Sequence, residues 1–120
     1  MHRLLTTAAL LVLVALATAG CGAKGQSSGP QATKVIDVTV SGSSTTPSGQ
    51  TIDVAVGQPI ELRVTADAPG EIHVHSSPDE QEFQYDKGSS TIEVEPIRAP
   101  GRVPVESHSL HRTLFILQAS

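Results

Sequence analysis

Four histidines are spaced so that they could act together. Gly70-Glu71-Ile72-His73-Val74-His75-Ser76 holds two of them, and His108 and His111 lie near the C-terminus. In a β-strand successive side chains alternate faces, so His73 and His75 share one face and Ile72 and Val74 the other. Their Cα atoms then sit roughly 6.5–7 Å apart. Two imidazoles at that spacing can lean toward one metal ion when a third ligand arrives from another segment, and His108-x-x-His111 is the candidate source. Imidazole donors suit Cu(II), Zn(II) and Ni(II), with Cu(II) the strongest of the divalent series. The ligating ring must be neutral, so affinity should fall as pH drops through about 6.5. The same alternation equally describes a sheet with a wet face, whose histidines bind nothing.

Other chemistry is poorly represented. Asp79-Glu80-x-Glu82 lacks the Asp/Asn/Gly spacing of a calcium loop and reads as a solvated acidic loop. Ser107 and His108 are adjacent, but no nucleophile elbow surrounds them, so a hydrolase triad is not expected. The expectation is a protein that is not an enzyme.

The elements that must position the histidines read as β throughout. Val35–Val40, Thr51–Val56 and Ile60–Thr65 alternate apolar and polar residues, and Glu71–Ser76 is the histidine strand. Ser41–Gln50 is rich in Ser, Thr, Gly and Pro and reads as a loop. Ser76–Ser90 is the least regular stretch, with Phe83-Gln84-Tyr85 as a short pairing segment. Thr91–Glu95 is a strand, Val103–Glu106 is extended, and Leu114–Leu117 is a more continuous apolar strand. Pro104 lacks an N–H and favours an edge or a bulge. Nothing shows a 3.6-residue period over three turns. Seven or eight short strands with regular turn signals predict an all-β fold, a single small antiparallel sandwich or barrel.

The chain opens with a leader. Met1-His2-Arg3 precedes an apolar run from Leu4 to Leu16, then small residues, the layout of a secretory signal peptide. Ala19-Gly20-Cys21 resembles a bacterial lipobox, with Thr18 where an aliphatic residue is usual; Ala17-Thr18-Ala19 also fits ordinary cleavage after Ala19 and secretion. Cys21 is the only cysteine, so no intramolecular disulfide is possible. The expected organisation is a lipoprotein signal peptide over 1–20, a lipidated Cys21 with a flexible tether over 21–33, and one domain over 34–120. That places the protein on the extracytoplasmic face of the cell membrane, held by its lipid. The net charge of −4 becomes −5 once Arg3 leaves with the leader, which argues against a nucleic-acid partner. With Phe83, Tyr85 and Phe115 as the only aromatics, the core must be built from Val, Ile and Leu.

Three stretches carry a family resemblance. Gly57-Gln58-Pro59-Ile60-Glu61-Leu62-Arg63-Val64 resembles a hairpin of cupredoxin-like domains. Glu71-Ile72-His73-Val74-His75 resembles the strand end bearing their first copper histidine. Pro100-Gly101-Arg102-Val103-Pro104-Val105-Glu106-Ser107-His108 resembles the approach to their second ligand cluster. Small actinobacterial lipoproteins of this superfamily have similar segments. The resemblance spans roughly Val35 to Gln118 and implies a Greek-key sandwich with both histidine segments at one end. Blue-copper members of the family use a Cys thiolate, two His and often a Met. Here Ser107 stands at the Cys position, and Met1 is the sole methionine. A thiolate electron-transfer centre is therefore excluded. The resemblance implies copper, with zinc as the alternative, on His73 and His108; His75 and His111 are extra candidates, and Glu106 either adds a carboxylate or simply faces water. The competing expectation is a metal-free degenerate cupredoxin acting as a structural or protein-interaction module at the cell surface.

Overall fold

The computed structural model describes residues 29–120. The expected leader, the lipobox and Cys21 lie outside these residues. Among them no helix is long and apolar enough to cross a membrane.

Among the described residues nine strands form: β1 Lys34–Ser41, β2 Ser44–Thr46, β3 Gln50–Val54, β4 Ile60–Ala66, β5 Gly70–Val74, β6 Gln81–Tyr85, β7 Gly88–Val94, β8 Gly101–Ser107 and β9 Arg112–Ala119. They make two sheets, one ordered β2-β1-β4-β7 and the other β3-β9-β8-β5-β6. The chain passes repeatedly from one sheet to the other, so sequence neighbours are often not ladder neighbours. The all-β sandwich is as the sequence predicts. Its pairing is mixed rather than wholly antiparallel: β1 runs parallel to β4, and β3 parallel to β9. Side-chain alternation is the same in either direction, so periodicity carries no information about it.

The core forms where the alternating apolar residues meet between the sheets. Ile36, Val38 and Val40 from β1, and Ile60, Leu62 and Val64 from β4, face Ile72 and Val74 of β5, Val103 and Val105 of β8 and Leu117 of β9. Leu114 and Phe115 are adjacent yet both buried. A β-bulge explains this: Val105 pairs with Phe115 but Glu106 pairs with Thr113, which leaves Leu114 as the extra residue.

Three local expectations change. The 41–50 loop contains β2, whose Thr45 is buried by its pairing with Val40. Pro104 lies in an interior strand rather than at an edge. Its carbonyl accepts from the His75 N–H at 3.0 Å, and in an extended residue N and C=O point to the same side, so the missing N–H faces β5. The register of β5 with β8 covers only His73↔Glu106 and Val74↔Val105, so no ladder bond is lost there. The final residues of the expected tether lie on the domain: Gln58 donates to the Ala32 carbonyl at 2.9 Å, and Lys34 N–H to Pro59 at 2.8 Å.

Candidate metal centre

β5 supplies the frame. Ile72 and Val74 are fully buried, so His73 between them points to the outer face of the five-stranded sheet. The strand ends at Val74, one turn of the pleat earlier than predicted, yet the His75 N–H still bonds to β8 and keeps its ring on that outer side. Glu106 of β8 sits opposite His73, and Thr113 of β9 sits opposite Glu106 beside the bulge. His108 follows two residues after Glu106, just beyond the end of β8.

The outcome is an imidazole cluster. The His73 and His108 rings are stacked with centroids 3.7 Å apart and planes 29° apart. The His75 ring lies 6.0 Å from His73 and 6.2 Å from His108. One ring nitrogen from each of the three falls within 4.8 Å of the others. His111 is not part of this group. The backbone turns between His108 and His111, with the His111 N–H donating to the His108 carbonyl at 3.2 Å. His111 takes φ = 51°, a left-handed conformation, and its side chain is exposed. It lines an open hollow of about 420 Å³ with His108, Arg112 and Thr113.

Carboxylates surround the rings. His73 Nε2 donates to Glu71 Oε1 at 2.5 Å and lies 3.4 Å from Glu82 Oε1. His75 Nδ1 meets Glu80 Oε1 at 3.1 Å, and its Nε2 meets Glu106 Oε2 at 3.0 Å. The Glu80 hydrogen bond first, and Glu106 with it, hold the His75 ring above its ordinary pKa against burial, whose opposing effect ranks between the two bonds. Glu71 also accepts a hydrogen bond from the Gln84 amide. Burial works to raise its pKa, but the bonds from Gln84 and His73 overcome it and hold Glu71 below the usual carboxylate range. Thr113 Oγ1 donates to Glu106 Oε1 at 3.3 Å. The sequence places Glu80 in a solvated acidic loop, whereas the structure brings its carboxylate to His75. The signal for Glu71 was present, since Glu71-x-His73 shares one strand face.

Ser107 faces the other way. It is only 1% exposed, with its Oγ 3.1 Å from the Ser109 hydroxyl and accepting from the Leu110 N–H at 3.3 Å. Tyr85 lies across Gly70, where a Cβ would meet its phenol, with the Ser107 and Ser109 hydroxyls close by. Burial pushes the Tyr85 phenol above its ordinary value, and those two hydroxyls pull it partly back. A hydroxyl nest, with Ser109 at its exposed rim, therefore lies under the sheet, and the imidazoles lie over it.

The donor set fits a borderline divalent ion. A metal–nitrogen bond of about 2.0–2.1 Å places neighbouring donors about 3–3.4 Å apart, so the rings must close from their present spacing. A bound ion must also lie in the plane of each ring. The stacked His73 and His108 rings therefore have to open, and His108 is the exposed member of the pair. Three imidazoles with carboxylates alongside suit Cu(II) well.

Neither a protein-family profile nor a curated protein sequence matches the chain. Solved structures do. A purple cupredoxin from Nitrosopumilus maritimus superposes with a TM-score of 0.54 at 14% identity, covering 72% of this chain and 99% of that one. Auracyanin A, a blue copper protein from Chloroflexus aurantiacus, gives 0.55 at 12% identity over 74% of this chain and 100% of its own. Auracyanin from Roseiflexus castenholzii gives 0.54 at 11%, over 72% and 97%. The chain has the cupredoxin-like fold.

Proposed function

We propose that this protein binds copper on the outer face of its five-stranded sheet through His73, His75 and His108, and that it captures or buffers the ion rather than carrying electrons through a thiolate. We further propose that Cys21 is acylated and tethers the domain to the extracytoplasmic face of the membrane. The observation that carries the metal reading is the convergence of three imidazoles from two separate segments, with donor atoms within 4.8 Å of one another. The cupredoxin-like fold supports copper in particular, since the blue copper protein auracyanin A shares it. When bound, copper would supply a Lewis-acidic centre.

The chain's own residues do the rest. β5 holds His73, the Pro104 bond fixes the backbone at His75, and the short turn after β8 presents His108. Capture exchanges a proton for the ion at His75, because its Nε2, which meets Glu106, must release its proton to ligate.

A thermal melt of the full-length protein in detergent, with and without Cu(II) or Zn(II) at pH 7.5 and 5.5, tests this. A ligand that binds only the native state stabilises it, by about 2.7 kcal/mol at a hundredfold excess over Kd. The expected result is a rise with Cu(II) at pH 7.5 that is lost at pH 5.5 and in the H73A/H108A double variant. No rise with either ion would overturn the metal reading and leave a metal-free interaction module.

A further inference from the structure

We propose that Glu106 is the fourth, anionic ligand of the same centre, and that Glu71 and Glu80 act as positioning residues that orient His73 and His75 from behind. This rests on the metal reading above and specifies the coordination set.

Glu106 is placed for the role by three independent contacts. Its Cα is the ladder partner of His73. Its Oε2 is 3.0 Å from His75 Nε2. Its Oε1 accepts from Thr113 Oγ1, and Thr113 sits opposite it because the Leu114 bulge shifts the register. The bulge thus aims a hydroxyl at the carboxylate and holds one oxygen, while the other stays toward His75. Two donors bound to one ion at about 2.0–2.2 Å, at roughly right angles, lie about 3 Å apart. The 3.0 Å edge between His75 Nε2 and Glu106 Oε2 already has that length, so the two groups need not approach each other to share one ion; the imidazole has only to turn its Nε2 from the oxygen toward the ion.

The remaining carboxylates contact the opposite sides of the rings. Glu80 holds His75 Nδ1, which leaves Nε2 as the ligating atom. Glu71 holds His73 Nε2, which leaves Nδ1. A metal-binding imidazole characteristically donates its second N–H to a carboxylate, which fixes the tautomer and the ring plane. Glu82, 3.4 Å from His73 Nε2 and largely exposed, adds to that same back side. The set is three imidazoles and one carboxylate, with no sulfur. Hard oxygen donors favour Cu(II), whereas soft sulfur donors select Cu(I), which agrees with holding the ion and not cycling it.

The experiment is a competition titration of Cu(II) into the full-length protein in detergent, with the electron paramagnetic resonance spectrum of the loaded site. Wild type, E106Q, E71Q, E80Q and, as a control, E93Q on exposed β7 are compared, and circular dichroism confirms folding. E106Q should weaken Cu(II) by at least the roughly 10–100-fold typical of losing a partner that only orients a ligand, and alter the copper g and hyperfine values. E71Q and E80Q should weaken binding while leaving those values close to wild type. E106D serves if E106Q fails to fold, and it too should shift the spectrum. Wild-type binding with unchanged affinity and spectrum in E106Q, or in E106D, overturns the proposal and leaves the three-histidine site standing. Absence of copper binding by wild type instead overturns the site itself.

Discussion

Replacing Ser107 with Cys restores, on paper, the thiol that blue-copper proteins use. The structure predicts that it restores nothing of their chemistry. Glu106 and His108 flank residue 107 on the outer face, whereas the Ser107 Oγ points into the sandwich, bonded to Ser109 and to the Leu110 N–H. A thiolate ligates at about 2.3 Å, and a Cys at 107 would have to turn its side chain through the sheet to reach the imidazoles. The substitution should instead cost stability. It weakens two hydrogen bonds, each contributing about 0.5–1.5 kcal/mol, and the thiol recovers part through its apolar burial. A net loss of about 1–2 kcal/mol lowers Tm by roughly 5–15 °C for a domain of this size. The assay uses a Cys21→Ser background, so that residue 107 is the only thiol. Melting gives the stability, a thiol reagent reads accessibility, and Cu(II) titration is followed in the visible. The expected outcome is a lower Tm, an unreactive native thiol, wild-type Cu(II) affinity and no thiolate-to-copper charge-transfer band. An intense band on adding Cu(II) would show that residue 107 reaches the site and would refute the two-face assignment.

The hydroxyl nest gives a second prediction. Gly70→Ala places a Cβ 2.6 Å from Tyr85 Cζ, so the buried ring must shift; overpacking of this kind costs about 1–3 kcal/mol, readable by urea unfolding, and an unchanged midpoint would remove the packing argument. A third concerns pH. The raised pKa of His75 means that its bonds to Glu80 and Glu106 contribute stability in full below about 6.5, and that this contribution is lost as pH rises through the higher folded value. The metal-free protein should therefore lose more stability to His75→Gln at pH 5.5 than at pH 8.5, and an equal loss at both would contradict the ion pairs. Glu71 has the opposite sign: its lowered pKa contributes stability above about 4.5 that is lost as pH falls through the folded value, so Glu71→Gln should matter more at pH 6 than at pH 3. At the other end of the chain, Cys21→Ser should move the protein from the membrane fraction to the medium, and retention in the membrane would exclude the lipid tether.

What was readable in the sequence, and what was not, follows from the range of each signal. Ile72-His73-Val74 states its own geometry, because two β-branched residues two apart can be buried together only if the histidine between them faces out. The pairing of that strand with the segment before His108 came through the resemblance, since no periodicity reaches across 31 residues. His111 looked equivalent to His108 because three residues apart in a loop says nothing about direction. A left-handed φ at a non-glycine residue has no dependable local signature, and it turns the chain there. β2 and the first half of β7 are Ser, Thr and Gly, which read as loop; their strand state is imposed by pairing with Val40 and Val64. The bulge left one trace, the adjacent apolar pair Leu114-Phe115, which was visible as a continuous run without revealing its consequence. That consequence is functional. The extra residue brings Thr113 opposite Glu106, and Thr113 then holds the carboxylate whose other oxygen meets His75. Without the bulge, alternation would place Leu114 on the outer face at that position, an apolar side chain among carboxylates and imidazoles. The register shift therefore both completes the core and keeps the metal-facing surface polar.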